Sequence, residues 1–372
     1  MTVILTELAI VLIGLAVTPV LFYRFPRLLD IKPTKEKFPS VSVIIPARNE
    51  ETNLPLLLED LSEQSFPVYE IICVDDASED ATGKIALLYD VTLISLNDKP
   101  EGWTGKSWAC QRGADVATGE LLLFLDADVR LGPDGLRKLM QKFSDCGCTI
   151  SVQPYHKTEK AYEQLSMLFN LVQLAANGTT LPKPLNVGLY GPVILISHSD
   201  YNKIGGHESV RKSIVEDMAL GQQLKKAGLP FQLFIGDKDI YFRMYGSGLR
   251  SLLQGWIKNQ AAGAAKTPLL VFLMVFFWIT SLTSVPLHMI VFVSSGNISW
   301  LVIYSLLYVV WISALTVLTR QVGNFRLWAF VFYPISVLVL LGVFSVSMFK
   351  KAFGLSVIWK DREIAVEDDS CE

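Results

Sequence analysis

At 372 residues, with 51% of them hydrophobic and 19% charged, the chain is too apolar for an ordinary soluble protein, and the excess gathers toward its two ends. A net charge of -3 supplies no basic field, so no nucleic-acid partner is expected. Five cysteines (Cys73, Cys110, Cys146, Cys148, Cys371) are odd in number and lack zinc-type spacing, and Cys146-Gly147-Cys148 is read as a reduced pair in a loop rather than a redox or metal pair.

Residues from Thr2 to Tyr23 carry one charge, Glu7, and are followed by Arg24, Arg27, Lys32, Lys35 and Lys37. The run is long enough to cross a bilayer, and its basic flank puts the next segment of the chain in the cytoplasm. A cleaved signal peptide fits poorly, because the positive charges come after the apolar stretch rather than before it. Residues 1–24 are therefore predicted as a transmembrane helix. From Pro39 the composition is that of an α/β domain, taken to extend over 39–245. Val41 to Ile45 and Ile71 to Val74 are short β-branched runs, separated by a helical stretch with apolar residues at Leu54, Leu57, Leu58 and Leu61, which makes a βαβ unit. Further apolar runs at Val91 to Leu96, Leu121 to Leu125 and Thr149 to Val152 extend the alternation into a mostly parallel sheet.

After Tyr245 the pattern changes. Leu249, Leu252, Leu253 and Trp256 recur at helical spacing beside Arg250 and Lys258, which fits an amphipathic helix at a membrane surface over 246–262, or nearly as well a core-facing helix of the α/β domain. Three apolar stretches come next within 268–349, at Pro268 to Val293, Ile298 to Leu318 and Leu327 to Met348, each long enough to span. The loop at Ser294 to Asn297 lacks cations while Arg320 and Arg326 flank the next loop, an out-then-in order. Strict counting leaves Lys350, Lys351 and the tail, 350–372, outside, against their charge. A re-entrant segment would reconcile the two, and the side of the tail stays open.

The clearest pointer to chemistry is Asp126-Ala127-Asp128. It lies just after a run that reads as a buried strand, so both aspartates emerge at the carboxyl end of a parallel sheet, where such sheets place ligands. They are hard oxygen ligands suited to Mg²⁺ or Mn²⁺ bridging the phosphates of a nucleotide sugar. The tripeptide alone is weak, and Asp237-Lys238-Asp239 is read as a chance repeat of it. Pro46-Ala47-Arg48-Asn49-Glu50 closes the first strand and opens a helix, a turn suited to a nucleotide's ring or phosphates. Val74-Asp75-Asp76-Ala77-Ser78 repeats that geometry, so Asp75 or Asp76 can accept from a base or ribose, although Ser78 and Asp80 are also ordinary helix-start residues. Gly102-Trp103-Thr104-Gly105-Lys106-Ser107 lacks the spacing of a P-loop but places a lysine for a base or diphosphate. Glu216-Asp217 begins a helix read over Met218 to Ala227, where a carboxylate can take the proton of an acceptor hydroxyl or simply face the helix dipole. His207, after Gly205-Gly206, is read as a surface or structural residue.

Taken in order, P-A-R-N-E, V-D-D-A-S, G-K-S, D-A-D and E-D resemble an inverting family 2 glycosyltransferase with the nucleotide-diphospho-sugar (GT-A) fold, over about Val41 to Lys258. The resemblance implies a GT-A domain with a mixed, mostly parallel sheet flanked by transmembrane helices. It implies nucleotide contacts from Pro46, Arg48, Glu50, Asp76 and Lys106, a metal held by Asp128 with Asp126, and Asp217 as the base beside Glu216. More locally, Gly105 to Cys110, Ser151 to His156, Gly205 to His207, Phe242 to Tyr245 and Gly255 to Lys258 resemble membrane-bound diaponeurosporenoate glycosyltransferases of bacterial carotenoid pathways, which implies glucose moved from UDP-glucose to a carotenoid carboxyl. One departure matters. Aligning Q-x-x-R-W on Trp256 puts Leu252 at the Gln and Gly255 at the Arg, with Gln254 out of register. This argues against polymer synthesis and leaves Arg243 or Lys258 to supply the missing cation, with Arg243, Trp256 and Lys258 expected to contact the nucleotide sugar. Trp359-Lys360-Asp361-Arg362 resembles a tail found in membrane glycosyltransferases acting on lipids, which would sit near a cytoplasmic active site.

The expected partners are a UDP-sugar, a membrane lipid acceptor and the bilayer. The acceptor is expected to be a carotenoid acid, with a glycerolipid, polyprenyl phosphate, hopanoid or sphingoid lipid as alternatives. A carboxylate acceptor leaves Asp217 little proton to remove and gives it a positioning role. An inactive transporter or lipid-carrier subunit is the reading from another class; it is disfavoured because Asp128 and Asp217 are present and the C-terminal spans hold few ionisable residues.

Overall fold

The structure is a computed structural model that describes residues 2–28, 38–359 and 362–364. Lys32, Lys35 and Lys37 of the basic flank, Lys360 and Asp361 of the tail motif, and Cys371 lie outside the described residues.

In chain order the elements are α1 (Thr2–Leu21), β1 (Val41–Ala47), α2 (Leu54–Ser62), β2 (Glu70–Asp76), α3 (Thr82–Ala86), β3 (Thr92–Leu96), α4 (Gly105–Val116), β4 (Leu121–Leu125) and β5 (Val129–Leu131). They continue with α5 (Gly135–Cys146), β6 (Thr149–Gln153), β7 (Tyr155–His156), α6 (Met167–Asn177), β8 (Val193–Ser197), α7 (His198–Lys203), α8 (Glu216–Lys226), β9 (Phe231–Ile235) and β10 (Ile240–Phe242). The last are α9 (Leu249–Lys266), α10 (Leu269–Ser295), α11 (Ile298–Thr319), α12 (Leu327–Val331), α13 (Tyr333–Ala352), β11 (Val357–Trp359) and β12 (Arg362–Ile364). The chain divides into two compact units.

The first comprises Pro26–His156, Asn186–Met244 and Ser356–Glu372. Its main sheet has the order β3-β2-β1-β4-β8-β6-β9. All its neighbours pair in parallel except β8, which runs antiparallel to β4 and β6 on either side. β4 is Leu-Leu-Leu-Phe-Leu and buried throughout, as a strand covered on both faces must be. Leu54, Leu57, Leu58 and Leu61 form the buried stripe of α2, at the spacing expected of a helix laid on a sheet. Strand β1 runs past Ile45 to Ala47, so Pro46 sits in the strand rather than in the turn after it. The position tolerates proline because the ladder to β4 ends at Ile44, opposite Phe124. The helix at Glu216-Asp217 includes the acidic pair, two residues earlier than predicted.

A small second sheet, β5-β10-β7, flanks the main one. Asp237 and Asp239 pair there with buried Lys138 of α5, at 3.1 and 2.6 Å, so the second Asp-x-Asp fastens a loop to a helix. Cys146 ends α5, Gly147 takes the left-handed cap at φ 57°, and Cys148 leads into β6. Cys146, read as part of a loop, is thus the last residue of the helix, and both thiols are free in the structure.

The second unit comprises Met1–Phe25, Lys157–Leu185 and Tyr245–Leu355. Residues 157–185, α6 among them, were expected inside the α/β domain and instead belong here. On the described residues, α1, α10, α11 and α13 are four helices long and apolar enough to cross a membrane. Helices α1 and α10 touch closely: a Cβ on Gly14 would lie 2.1 Å from the Cβ of Ser281, whose hydroxyl donates to the carbonyl of Val11 at 2.9 Å. Helix α9 buries Leu252 and Trp256 against this unit, packing on α6 and α13, so it is not a helix of the sheet core. The predicted single stretch Leu327 to Met348 is broken at Phe332 into α12 and α13, with Pro334 in the first turn of α13.

Candidate active site

Within the sheet unit, the carboxyl ends of β1, β2 and β4 deliver Arg48 and Glu50, Asp75 and Asp76, and Asp126 to one edge. The first two turns are locked together. Arg48 Nη1 donates to the carbonyls of Asp76 and Ala77, both at 2.8 Å. The Asn49 amide donates to Ser78 Oγ at 3.0 Å, and Asn49 Oδ1 accepts from the Glu79 amide at 2.9 Å. The Glu50 amide donates to Thr82 Oγ1 at 2.8 Å while its carboxylate accepts from Asn53 at 2.7 Å. Asp75 Oδ1 accepts from the Ser78 amide at 3.0 Å. Asn49 and Ala77 hold φ of 52° and 51°, left-handed conformations that cost on the order of 1–2 kcal/mol each in a residue with a Cβ and that the cross-turn bonds maintain. Arg48, Glu50 and Asp75 therefore shape the platform with part of their polar capacity, beside Asp76, which is buried.

Lys106 occupies the first turn of α4, capped by Thr104. A cation there opposes the helix dipole, so carboxylates must hold it. Its Nζ lies 2.6 Å from Asp126 Oδ1 and 3.5 Å from Glu216 Oε1. Burial alone would weaken its hold on a proton; Asp126 and Glu216 outweigh this and keep the ammonium well above the ordinary lysine value.

Asp217 sits one residue further along α8. Its Oδ2 accepts from the Gly191 amide at 2.7 Å and its Oδ1 from the Met218 amide at 2.8 Å. Burial and the neighbouring Glu216 push its carboxyl up to about 6, against the pull of Lys106 and the two amides. Position 191 must be glycine-like for this to form, because a Cβ would stand 3.0 Å from Asp217 Oδ2 and 3.1 Å from Lys106 Nζ.

Pro46, Lys106, Asp126, Glu216 and Asp217 line one pocket, with Cys110, Phe124, Gly191, Ile194 and His207. The last five were not predicted as site residues. For His207 the available signal was the Gly205-Gly206 turn: both glycines have positive φ, and a Cβ at Gly206 would meet the Tyr201 ring at 2.8 Å. Burial, reinforced by Lys106 and opposed by Glu216, lowers the His207 imidazole to about 4, so it is neutral at pH 7.

Asp128 lies in the turn between β4 and β5, half-buried, two residues from Asp126. Among the described residues no group of three His, Cys, Asp or Glu side chains forms a metal cage. Two carboxylates with the remaining positions left to water and phosphate oxygens is the donor set that Mg²⁺ or Mn²⁺ takes, so the residues fit a metal shared with a diphosphate. Arg243 comes after β10 in the sheet unit, half-buried. Trp256 and Lys258 belong to α9 in the helical unit. Trp256, expected to contact the nucleotide sugar, is a packing residue instead: it is 2% exposed, stacked on Phe169 at 4.7 Å, with Nε1 donating to Ser166 Oγ.

Residues 42–204 match the family model described as glycosyl transferase family 2. A 4,4'-diaponeurosporenoate glycosyltransferase of Staphylococcus haemolyticus is 36% identical over 278 residues, covering 72% of this chain and 74% of its own length. The protein of the same name from Staphylococcus aureus is 30% identical over 370 residues and 97% of both chains. Among solved structures, a mannosyltransferase from Pyrobaculum calidifontis, in complex with GDP-mannose and Mn²⁺, is similar at a TM-score of 0.51 and 16% identity, covering 92% of this chain and 98% of its own. That likeness concerns the fold, which is GT-A. The chain belongs to glycosyl transferase family 2 and is a glycosyltransferase.

Proposed function

We propose that the protein transfers one glucose from UDP-glucose to the carboxyl group of a membrane-held carotenoid acid, with inversion at the anomeric carbon and without polymerisation. The observation that carries this reading is the likeness to the Staphylococcus aureus diaponeurosporenoate glycosyltransferase along 97% of both chains. The pocket supports it. The carboxyl end of β1 with Pro46, the turn after it with Arg48 and Glu50, and the end of β2 with Asp75 and Asp76 take the nucleoside, and Lys106 faces the diphosphate. A Mg²⁺ or Mn²⁺ ion, held by Asp128 with Asp126, would neutralise charge on the departing UDP.

A carboxylate oxygen of the acceptor forms the new bond to C1 as the bond from C1 to the diphosphate oxygen breaks. A carboxylic acid is already ionised at neutral pH, so no proton has to leave it. Asp217 then orients the acceptor rather than deprotonating it, and Lys106 offsets the charge that Glu216 and Asp217 present to an anion. Arg243 or Lys258 supplies the cation that Q-x-x-R-W enzymes place on arginine. The protein resides in the cell membrane as a multi-pass protein with its sheet unit in the cytoplasm.

The test is purified full-length protein with UDP-glucose, Mn²⁺ and a carotenoid acid, followed by UDP release and by the mass of the glucosyl ester. Asp128→Ala is expected to lose activity by at least about 100-fold. Turnover only with a glycerolipid, polyprenyl phosphate, hopanoid or sphingoid lipid reassigns the acceptor. Full activity in Asp128→Ala removes the metal assignment.

A further inference from the structure

The hydrogen-bond chain behind His207 determines which of its ring nitrogens carries the proton. Gln111 on α4 donates through Nε2 to Asp115 Oδ1 at 2.8 Å, which orients the amide and leaves Oε1 an acceptor. That oxygen accepts from the Glu208 amide at 3.0 Å and from the Tyr201 hydroxyl at 3.2 Å. Gln111 Oε1 can only accept, so the Tyr201 proton turned toward it satisfies both oxygens, whereas turned toward His207 it would leave them facing at 3.2 Å with no proton between. The Tyr201 oxygen accepts the backbone N–H of His207 at 3.0 Å and lies 2.9 Å from His207 Nδ1, so Nδ1 is the protonated nitrogen and donates to it. The neutral ring then carries a bare lone pair on Nε2, at its far edge. Phe124 packs edge-on at 4.9 Å and fixes the ring plane. His207 lines the pocket beside Lys106, Asp126, Glu216 and Asp217, and its Nε2 makes no hydrogen bond among the described residues.

A fixed acceptor in this place calls for a donor on the substrate. Diphosphate and carboxylate oxygens only accept. The nucleoside's donors belong with the turns after β1 and β2, where the proposed function puts the nucleoside. The hexose hydroxyls are left, beside the acid pair where the sugar is transferred. We propose that Nε2 of His207 accepts a hydrogen bond from one hydroxyl of the donor hexose and so selects which hexose the pocket takes. This rests on the UDP-hexose reading of the same pocket. A site built to bind a hydroxyl discriminates strongly against its absence, because the buried partner is left unpaired.

The experiment compares kcat/KM for UDP-glucose and its four monodeoxy analogues, at C2, C3, C4 and C6, in the full-length enzyme and in His207→Phe and His207→Gln. One deoxy donor is expected to fall by about 10- to 100-fold in the wild type. That penalty disappears in His207→Phe while the other three ratios persist, and His207→Gln, which keeps an acceptor oxygen, restores part of it. An equal loss across all five donors in His207→Phe, or no loss at all, overturns the proposal. A wild type that uses a different nucleotide hexose instead overturns the UDP-glucose assignment, and the deoxy series of that hexose then decides His207. Selective ¹⁵N-histidine labelling reads the tautomer without turnover. A proton on Nδ1 and none on Nε2 at pH 7 is expected, and the reverse overturns the proposal.

Discussion

Asp217 is held between two demands. Its carboxyl ordinarily ionises near 3.8 and is pushed up to about 6 here, so the folded state binds its proton more tightly than the unfolded chain does. Stability is therefore lost as pH rises from about 4 to about 6, and the full cost, about 3 kcal/mol at 1.36 kcal/mol per unit, is present at pH 7. Asp217→Asn removes the charge but keeps only one acceptor for the amides of Gly191 and Met218, which takes back about 1 kcal/mol. A net gain of about 1–2 kcal/mol at pH 7, vanishing near pH 4, is expected by denaturant titration. The same variant separates the two roles of the residue. A loss of about 10-fold in kcat fits orientation of a carboxylate, whereas a loss beyond about 1,000-fold requires a base and a hydroxyl acceptor. Lys106 works in the opposite sense on the same carboxyl. If Asp217 acts as a base its ionisation sets the acid limb of the kcat/KM profile, and Lys106→Met, which takes away the cation that lowers Asp217, should move that limb to higher pH. An unmoved limb would mean that another group titrates there.

At the scale of elements, the parallel half of the sheet was legible because β1, β2 and β4 are short apolar runs whose pattern states burial directly, while β3, equally readable as a strand, lies at the sheet edge with only Leu96 buried. The carboxyl ends of β1, β2 and β4 also pointed to Arg48, Asp76 and Asp126 as candidates, since strand ends are where such sheets bind ligands, whereas Lys106 and Asp217 lie on helices and were read from their local motifs and the family resemblance. Strand β8 was not legible. Val193-Ile194-Leu195-Ile196 is an equally apolar run, yet nothing local says that it inserts antiparallel between β4 and β6. Nor does α6 announce that it leaves the sheet unit, because its apolar face would suit either neighbour. His207 stayed hidden for a related reason: its role depends on Tyr201, Gln111 and Asp115, which only the fold assembles. Helix α4 shows how closely these elements fit. A Cβ at Gly113 would stand 2.4 Å from Cγ2 of fully buried Ile44 on β1. Helix propensity alone would favour alanine there by about 1 kcal/mol, but overpacking costs about 1–3 kcal/mol more than that gain offsets. Gly113→Ala is therefore expected to lower the Tm by several degrees. Adding Ile44→Ala should give a combined loss smaller than the sum of the two, measured as a double-mutant cycle.

For the whole molecule, a re-entrant turn at the break between α12 and α13 is the expectation that reconciles span counting with the charge of Lys350 and Lys351. The loop after α11 is tied to residues that come directly after β7. Asn324 Oδ1 accepts from the amide and hydroxyl of Thr158, at 2.6 and 2.9 Å, and the Arg326 amide donates to Gln164 at 2.8 Å. From there α12 turns back beside α11. The Tyr308 hydroxyl donates to the carbonyl of Val331, and the rings of Tyr308 and Tyr333 lie 5.0 Å apart. Tyr308 is about 16 Å from the end of α11 at 1.5 Å per residue, roughly the middle of a 30 Å hydrocarbon layer. With α11 crossing the layer, helix α13 would start near mid-depth. Near its other end Ser347 donates to the carbonyl of Ile257 on α9, the helix that leads into α10. A helix α13 that returns to the side from which α12 entered would make α12 and α13 a re-entrant pair, although α13 is long and apolar enough to span. Lys350 and Lys351 then lie on the side of Arg320 and Arg326, as the charge rule asks, and the β11–β12 hairpin groups with the sheet unit. On this expectation α1, α10 and α11 cross, and α13, the fourth helix among the described residues that is long and apolar enough to span, does not. In a cysteine-free background, a membrane-impermeant maleimide applied to intact cells should label Ser295→Cys and leave Lys351→Cys untouched until the membrane is permeabilised. Labelling of Lys351→Cys in intact cells would restore the fourth crossing and separate the tail from the sheet unit.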